Sequence, residues 1–142
     1  MRNLLALLAA ACAPPPVECT GDGVRLTEPA TEAECQAFLS AWEHGKDVLR
    51  SRLPMTDKML QGTTVRPTAL PWYSPEAGQV VAGLAFCGQN HIDVATSGLP
   101  WCATALLHEQ LHLVECRNDA DANHADWGEW KQKLVDDERC VP

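Results

Sequence analysis

Five consecutive residues, His108-Glu109-Gln110-Leu111-His112, combine side chains that can bind a metal ion and use it. On a helix, residues four apart lie on the same face, so the two imidazoles can reach one Zn²⁺. Glu109 lies about 100° around the helix from His108, towards the metal's open position, where it can take a proton from a metal-bound water. A structural zinc site has no use for such a base. The pattern therefore predicts His108 and His112 as zinc ligands and Glu109 as the general base of a hydrolytic centre.

A third zinc ligand is expected in the polar segment that follows the motif. His124 is the first candidate, because imidazole binds zinc well and no other histidine follows His112. Carboxylates also bind zinc, so four acids remain open as alternatives: Asp119, Asp121, Asp126 and Glu129. Upstream, His44 and His91 are interpreted as surface or hydrogen-bonded histidines rather than as ligands.

The segment around the motif favours a buried helix. Residues 101–116 contain no proline or glycine, so a helix is predicted to run through the motif, with Pro100 in its first turn and Ser97 or Thr96 as its cap. Apolar residues cover most of its circumference and leave one polar strip, which carries the two histidines.

Other helices and strands are predicted from periodicity and from breaking residues. Thr31 and Glu34 form a capping box that opens a helix to about Arg52, and Pro54 ends it. A final helix fits residues 126 to about 138, with four apolar residues turned inward: Trp127, Trp130, Leu134 and Val135. Strand-like segments lie between these helices, at 63–66, 80–87 and 91–95. This order of elements predicts an α+β domain.

The motif resembles that of the zincin superfamily of metallopeptidases through His108, Glu109 and His112. The resemblance implies a small zincin-like domain over 31–142, with an N-terminal helix, a short β-sheet, the motif helix and a C-terminal helix. It also implies zinc-dependent hydrolysis of a peptide or protein substrate that is aligned along an edge strand of the sheet. By this analogy, the strand at 91–95 is the substrate-binding edge.

No subfamily is assigned within the zincins. Glu115 and Asn118 stand where the metzincin pattern has its glycine and third histidine, and no methionine follows the motif. Glu129 lies close to, but not clearly at, the distance at which gluzincins place their third ligand.

The amino terminus predicts export. Residues 1–11 have a short positive start and a Leu/Ala run too short to span a bilayer, which is typical of a signal peptide. The run ends at Cys12 and resembles a bacterial lipoprotein signal, which implies lipidation of Cys12. Residues 12–30 then form a proline-containing tether. Ordinary cleavage after Ala9-Ala10-Ala11, giving a secreted or periplasmic protein, is the alternative.

The cysteine count agrees with this interpretation. Seven cysteines are an odd number for an exported chain, and lipidation of Cys12 leaves six that can form three disulfides. Six cysteines allow fifteen pairings and the sequence alone does not select one, although proximity favours Cys19–Cys35, Cys87–Cys102 and Cys116–Cys140.

Composition limits the partners. The net charge is −8 and no basic cluster is present, so nucleic-acid binding is not expected, and a membrane is contacted through the lipid anchor only. The alternative to a peptidase is a non-catalytic exported lipoprotein whose metal site is structural or vestigial. The sequence does not predict the oligomeric state.

Overall fold

A computed structural model of the chain describes residues 13–116 and 128–137. In chain order, the elements are β1 Thr20–Gly21, β2 Val24–Leu26, α1 Glu32–Arg50, α2 Thr56–Leu60, β3 Thr63–Thr68, β4 Trp72–Ser74, β5 Gln79–Val81, β6 Gly83–Phe86, β7 His91–Ala95, a 3₁₀ turn Trp101–Ala103, α3 Leu106–Val114 and α4 Glu129–Asp137. The predicted α+β class is confirmed. Among the described residues, no helix is both long enough and apolar enough to cross a bilayer.

The predicted capping box at the start of α1 is confirmed. The backbone N–H of Glu34 donates to Thr31 Oγ1 at 3.2 Å, and the backbone N–H of Thr31 donates to Glu34 Oε2 at 2.9 Å. These bonds hold the pKa of Glu34 below its usual value, because the Thr31 backbone N–H and hydroxyl stabilise the carboxylate. The helix ends at Arg50, close to the predicted end.

Five strands form the main sheet, in the order β1-β2-β3-β7-β6. Strands β2, β3 and β7 are parallel, whereas β1 and β6 pair antiparallel with their neighbours. Strand β6 is therefore the edge next to β7, and the predicted strand 80–87 is divided between β6 and a separate hairpin of β4 and β5.

The prediction that 91–95 is the edge strand is wrong, because β7 lies between β3 and β6. Strand β6 reaches β7 through a tight turn in which Gly88 and Asn90 have φ values of 82° and 47°. This turn places β6 on the outside and leaves Ile92 and Val94 fully buried.

One face of the sheet packs against α1 and α3. Its side chains form a single core with those of the helices: Val24, Leu26, Val65, Ile92 and Val94 from the strands, and Phe38, Trp42, Leu49, Leu106 and Leu111 from the helices. Burial of this many large apolar groups is the main force that holds α3 against the sheet.

The opposite face of the sheet carries a polar network around Asp93. Arg66 Nε donates to Asp93 Oδ1 at 2.8 Å, and His91 Nε2 lies 2.7 Å from the same oxygen. His91 Nδ1 lies 2.6 Å from Thr64 Oγ1. The interpretation of His91 as a hydrogen-bonded histidine is confirmed.

Helix α4 is joined to the end of α3 by an ion pair. Lys131 Nζ lies 2.5 Å from Glu115 Oε1, and Glu115 is the C-cap residue that follows α3. Val135 is fully buried, as predicted, but Trp130 is 41% exposed. The prediction that Trp130 points inward is wrong, because its ring instead lies beneath the side chains of Arg52 and Lys131. Trp127 lies outside the described residues.

Candidate metal centre

The motif helix begins later than the sequence predicts. Residues Trp101–Ala103 form a 3₁₀ turn, and α3 begins at Leu106, so the prediction of one uninterrupted helix is wrong. The break lies at Thr104, whose hydroxyl donates to Trp101 O at 2.6 Å and accepts from the Leu106 N–H at 3.3 Å. The Thr104 hydroxyl therefore accepts from the first backbone N–H of α3. The prediction that Ser97 or Thr96 has this capping role is wrong, because α3 begins at Leu106.

Helix α3 brings the two predicted zinc ligands together. His108 Nε2 and His112 Nε2 lie 3.1 Å apart, and the ring centroids are 4.9 Å apart. Two nitrogens at this separation, each about 2.05 Å from a common Zn²⁺, would subtend about 100° at the metal, near the tetrahedral angle. Both side chains are half-buried, so they are partly accessible from solvent. The donor set therefore fits two of the ligands of a zinc ion.

Glu109 lies between the two histidines in sequence and is only 4% exposed. Burial raises the pKa of its carboxyl to about 8, against the opposing effect of a hydrogen bond from the Ala85 backbone N–H, which stabilises the carboxylate. Burial of a carboxyl group is costly, so a buried acid with a raised pKa that is flanked in sequence by two histidines is a candidate for a functional site.

The edge strand makes room for Glu109 at Gly83. A Cβ added to Gly83 would lie 2.5 Å from Glu109 Oε1, 2.7 Å from its Cγ and 2.9 Å from its Cδ. Sequence reasoning missed the contribution of Gly83 and Ala85. A signal was present, because a glycine inside a strand often marks a close approach of another group.

Gln110 is the second residue between the histidines and is completely buried on the other side of α3. Its Nε2 donates to the backbone carbonyl of Trp42 on α1 at 3.0 Å. This bond joins the motif helix directly to α1, so the role of Gln110 is structural. Glu109 instead faces the sheet edge at Gly83.

The described residues show no third ligand beside the two histidines. Within 13–116 and 128–137, no group of three or more histidines, cysteines or acids is close enough together to hold a metal ion. Glu129 is exposed at the first turn of α4 and belongs to no such group. The other candidates, His124, Asp119, Asp121 and Asp126, lie outside the described part of the chain.

Two complete disulfides lie within the described residues, and one of them is next to this site. Cys19 and Cys35 are bonded as predicted, with their Cα atoms 5.4 Å apart. The predicted pairs Cys87–Cys102 and Cys116–Cys140 are wrong, because Cys87 is bonded to Cys116, with a Cα separation of 5.5 Å. Strand β6 and α3 end side by side, which brings these two cysteines within bonding reach. Cys102 also takes part in a disulfide.

No known protein family, curated protein or solved structure matches this chain.

Proposed function

We propose that this protein is a zinc-dependent peptidase that acts at the bacterial cell envelope, with His108 and His112 as zinc ligands and Glu109 as the general base. The separation of 3.1 Å between the two imidazole Nε2 atoms carries the proposal, because it suits two ligands of one tetrahedral ion. The burial of Glu109, which follows His108 in the motif, supports a hydrolytic rather than a structural site.

When bound, zinc would lower the pKa of a coordinated water and polarise the substrate carbonyl. A zinc cation nearby would favour the ionised form of the Glu109 carboxyl, whose pKa is raised by burial in the absence of metal. In that form Glu109 would accept the proton of the attacking water and deliver it to the amine of the departing peptide half. General acid–base catalysis of this kind accelerates a reaction by about 10²–10⁴-fold. The side chain is suited to this role because α3 fixes it within one helical turn of both histidines.

A peptide substrate is supported by the sheet edge next to Glu109. Within the described part of the chain, β6 pairs with one strand, β7, and Ala82 O accepts from the Ala95 N–H at 2.8 Å on that side. An extended chain can add to such an edge through backbone hydrogen bonds. Helix α3 packs against β6, and the Ala85 N–H of this strand already donates to Glu109, so a peptide that paired with the remaining groups of the edge would pass close to the motif helix.

His124 is proposed as the third ligand. The segment 117–127 leaves α3 at Cys116, which is bonded to Cys87, and it rejoins the described chain just before α4, which Lys131 ties to Glu115. Both flanks of the segment are thus held at the end of α3 that carries His112.

The proposal is tested by zinc content and peptide digestion on the same samples. The purified protein is expected to bind one zinc per chain and to cut a peptide library, and a chelator is expected to abolish cutting until zinc is restored. The His108→Ala, His112→Ala double variant should lose both properties, whereas His44→Ala should keep both. Equal zinc content in the wild type and the double variant would refute the metal site. Full zinc loading without cleavage would support the non-catalytic lipoprotein instead.

Attachment to the membrane through a lipid on Cys12 is part of the same proposal. Labelled fatty acid should appear in the wild-type protein expressed in bacteria and should be lost in Cys12→Ser. Retention of the label in Cys12→Ser would refute lipidation at this residue, and a soluble, unlabelled wild type would support ordinary cleavage and release.

A further inference from the structure

Strand β6 contacts Glu109 at two places. The Ala85 N–H donates to the carboxylate. Two residues earlier in the strand, the space that a side chain on Gly83 would fill is occupied by the Glu109 carboxyl and its adjoining carbons. Both contacts come from the edge strand, not from the helix that carries Glu109.

Gly83 is not required by its backbone conformation. Its φ lies outside the left-handed region that favours glycine, unlike the φ of Gly78 at +67° and that of Gly88 at +82°. An L-residue at position 83 could therefore adopt the same backbone. The obstacle is steric, since each of the three nearest atoms to an added Cβ belongs to Glu109.

We propose that Gly83 is a positioning residue for Glu109, an inference that rests on the peptidase function proposed above. A glutamate side chain has three rotatable bonds and loses much freedom when it is fixed. Because Gly83 has no side chain, the Glu109 carboxyl can pack against the strand at this position. The Ala85 N–H donates to the carboxyl and fixes its position before substrate binds. The edge strand thus orients the general base, and a side chain at position 83 displaces it.

A stability cycle tests the contact without any measurement of activity. Gly83→Ala, Glu109→Ala and the double variant are unfolded in denaturant. Gly83→Ala should lower the folding equilibrium constant roughly tenfold or more when Glu109 is present, which is the usual scale of overpacking. In the Glu109→Ala background, the same change should alter it by less than about threefold, because the methyl group then enters vacated space. If Gly83→Ala does not fold but the double variant does, the steric contact is equally supported. Equal effects in both backgrounds would overturn it.

Kinetics test the positioning role. Gly83→Ala should lower kcat for peptide hydrolysis about tenfold or more, with KM and zinc content close to those of the wild type, because the ligand histidines are untouched. The matched control is Gly21→Ala on the opposite edge strand, where an added Cβ meets only the flexible side chain of Leu39, at 3.1 Å. This control should keep its kcat.

The outcomes separate the two proposals. A Gly83→Ala variant with wild-type kcat, or one whose kcat falls only through loss of zinc, would overturn the positioning role. A wild type that holds zinc and cuts no peptide would refute the peptidase proposal. The stability cycle would still decide whether a side chain at position 83 and the Glu109 side chain need the same space.

Discussion

Gln110 packs against Gly45 so closely that a Cβ added to Gly45 would overlap Gln110 Oε1. On the other side of α3, Gly83 makes the corresponding approach to Glu109. Two of the residues between the motif histidines thus each face a glycine, one on α1 and one on the sheet edge. Helix α3 therefore packs at close range against both α1 and the sheet edge.

Gly45→Ala is expected to destabilise the protein, although alanine is the better helix former by about 1 kcal/mol. The methyl group would displace Gln110 and break its bond to the Trp42 carbonyl, at a cost of about 1–3 kcal/mol. In a Gln110→Ala background, the same substitution should be neutral or stabilising. Denaturant unfolding of the four proteins measures this reversal of sign. A destabilisation that is the same in both backgrounds would show that the approach of Gln110 is not the cause.

Loss of the Cys87–Cys116 disulfide should weaken both folding and metal binding. This bond joins the end of β6 to the end of α3 across 29 residues, and removing such a link typically costs about 2–4 kcal/mol. Replacing both cysteines by serine should also lower zinc affinity, because the histidine helix loses its tie to the sheet edge.

The disulfide Cys19–Cys35 provides the control for this experiment. It joins the start of the sheet to α1, away from the motif. Its removal should lower the thermal midpoint and leave zinc affinity unchanged. Equal losses of zinc affinity in the two double variants would mean that Cys87–Cys116 has no specific effect on the site.

The capping box predicts a pH dependence of stability in acid. Because the folded state holds the pKa of Glu34 below its unfolded value, its contribution is complete above the unfolded pKa of about 4.3. It is then lost as the pH falls through the lower folded-state value. The stability difference between the wild type and Glu34→Gln should therefore shrink as the pH falls below about 4.3. Urea unfolding at several pH values measures it, and a difference that does not change with pH would contradict the role of the carboxylate.

Local features of this fold were predictable from the sequence, because their causes are local. The capping box at Thr31 and Glu34 is confirmed by both reciprocal hydrogen bonds. The strand at 91–95 was predicted at the bounds it has in the structure. Helical spacing alone brings His108 and His112 together. Each of these features depends on residues within a few positions of one another.

Features that depend on tertiary contacts were missed or misassigned. Strand order decides that β6, not β7, is the edge, and the sequence of a strand buried on both faces does not reveal its neighbours. The pairing of Cys87 with Cys116 follows from two elements that end side by side, 29 residues apart. The contact between Gly83 and Glu109 likewise exists only when the sheet packs on α3.

The most direct test of the peptidase proposal compares the wild type with Glu109→Gln. Glutamine has nearly the same shape, so it should fill the space beside Gly83 and accept from the Ala85 N–H, but it cannot take a proton. Zinc content and the thermal midpoint should stay close to those of the wild type, while peptide hydrolysis should fall by at least about 10². A Glu109→Gln variant that is fully loaded with zinc and cuts peptides at the wild-type rate would contradict the account.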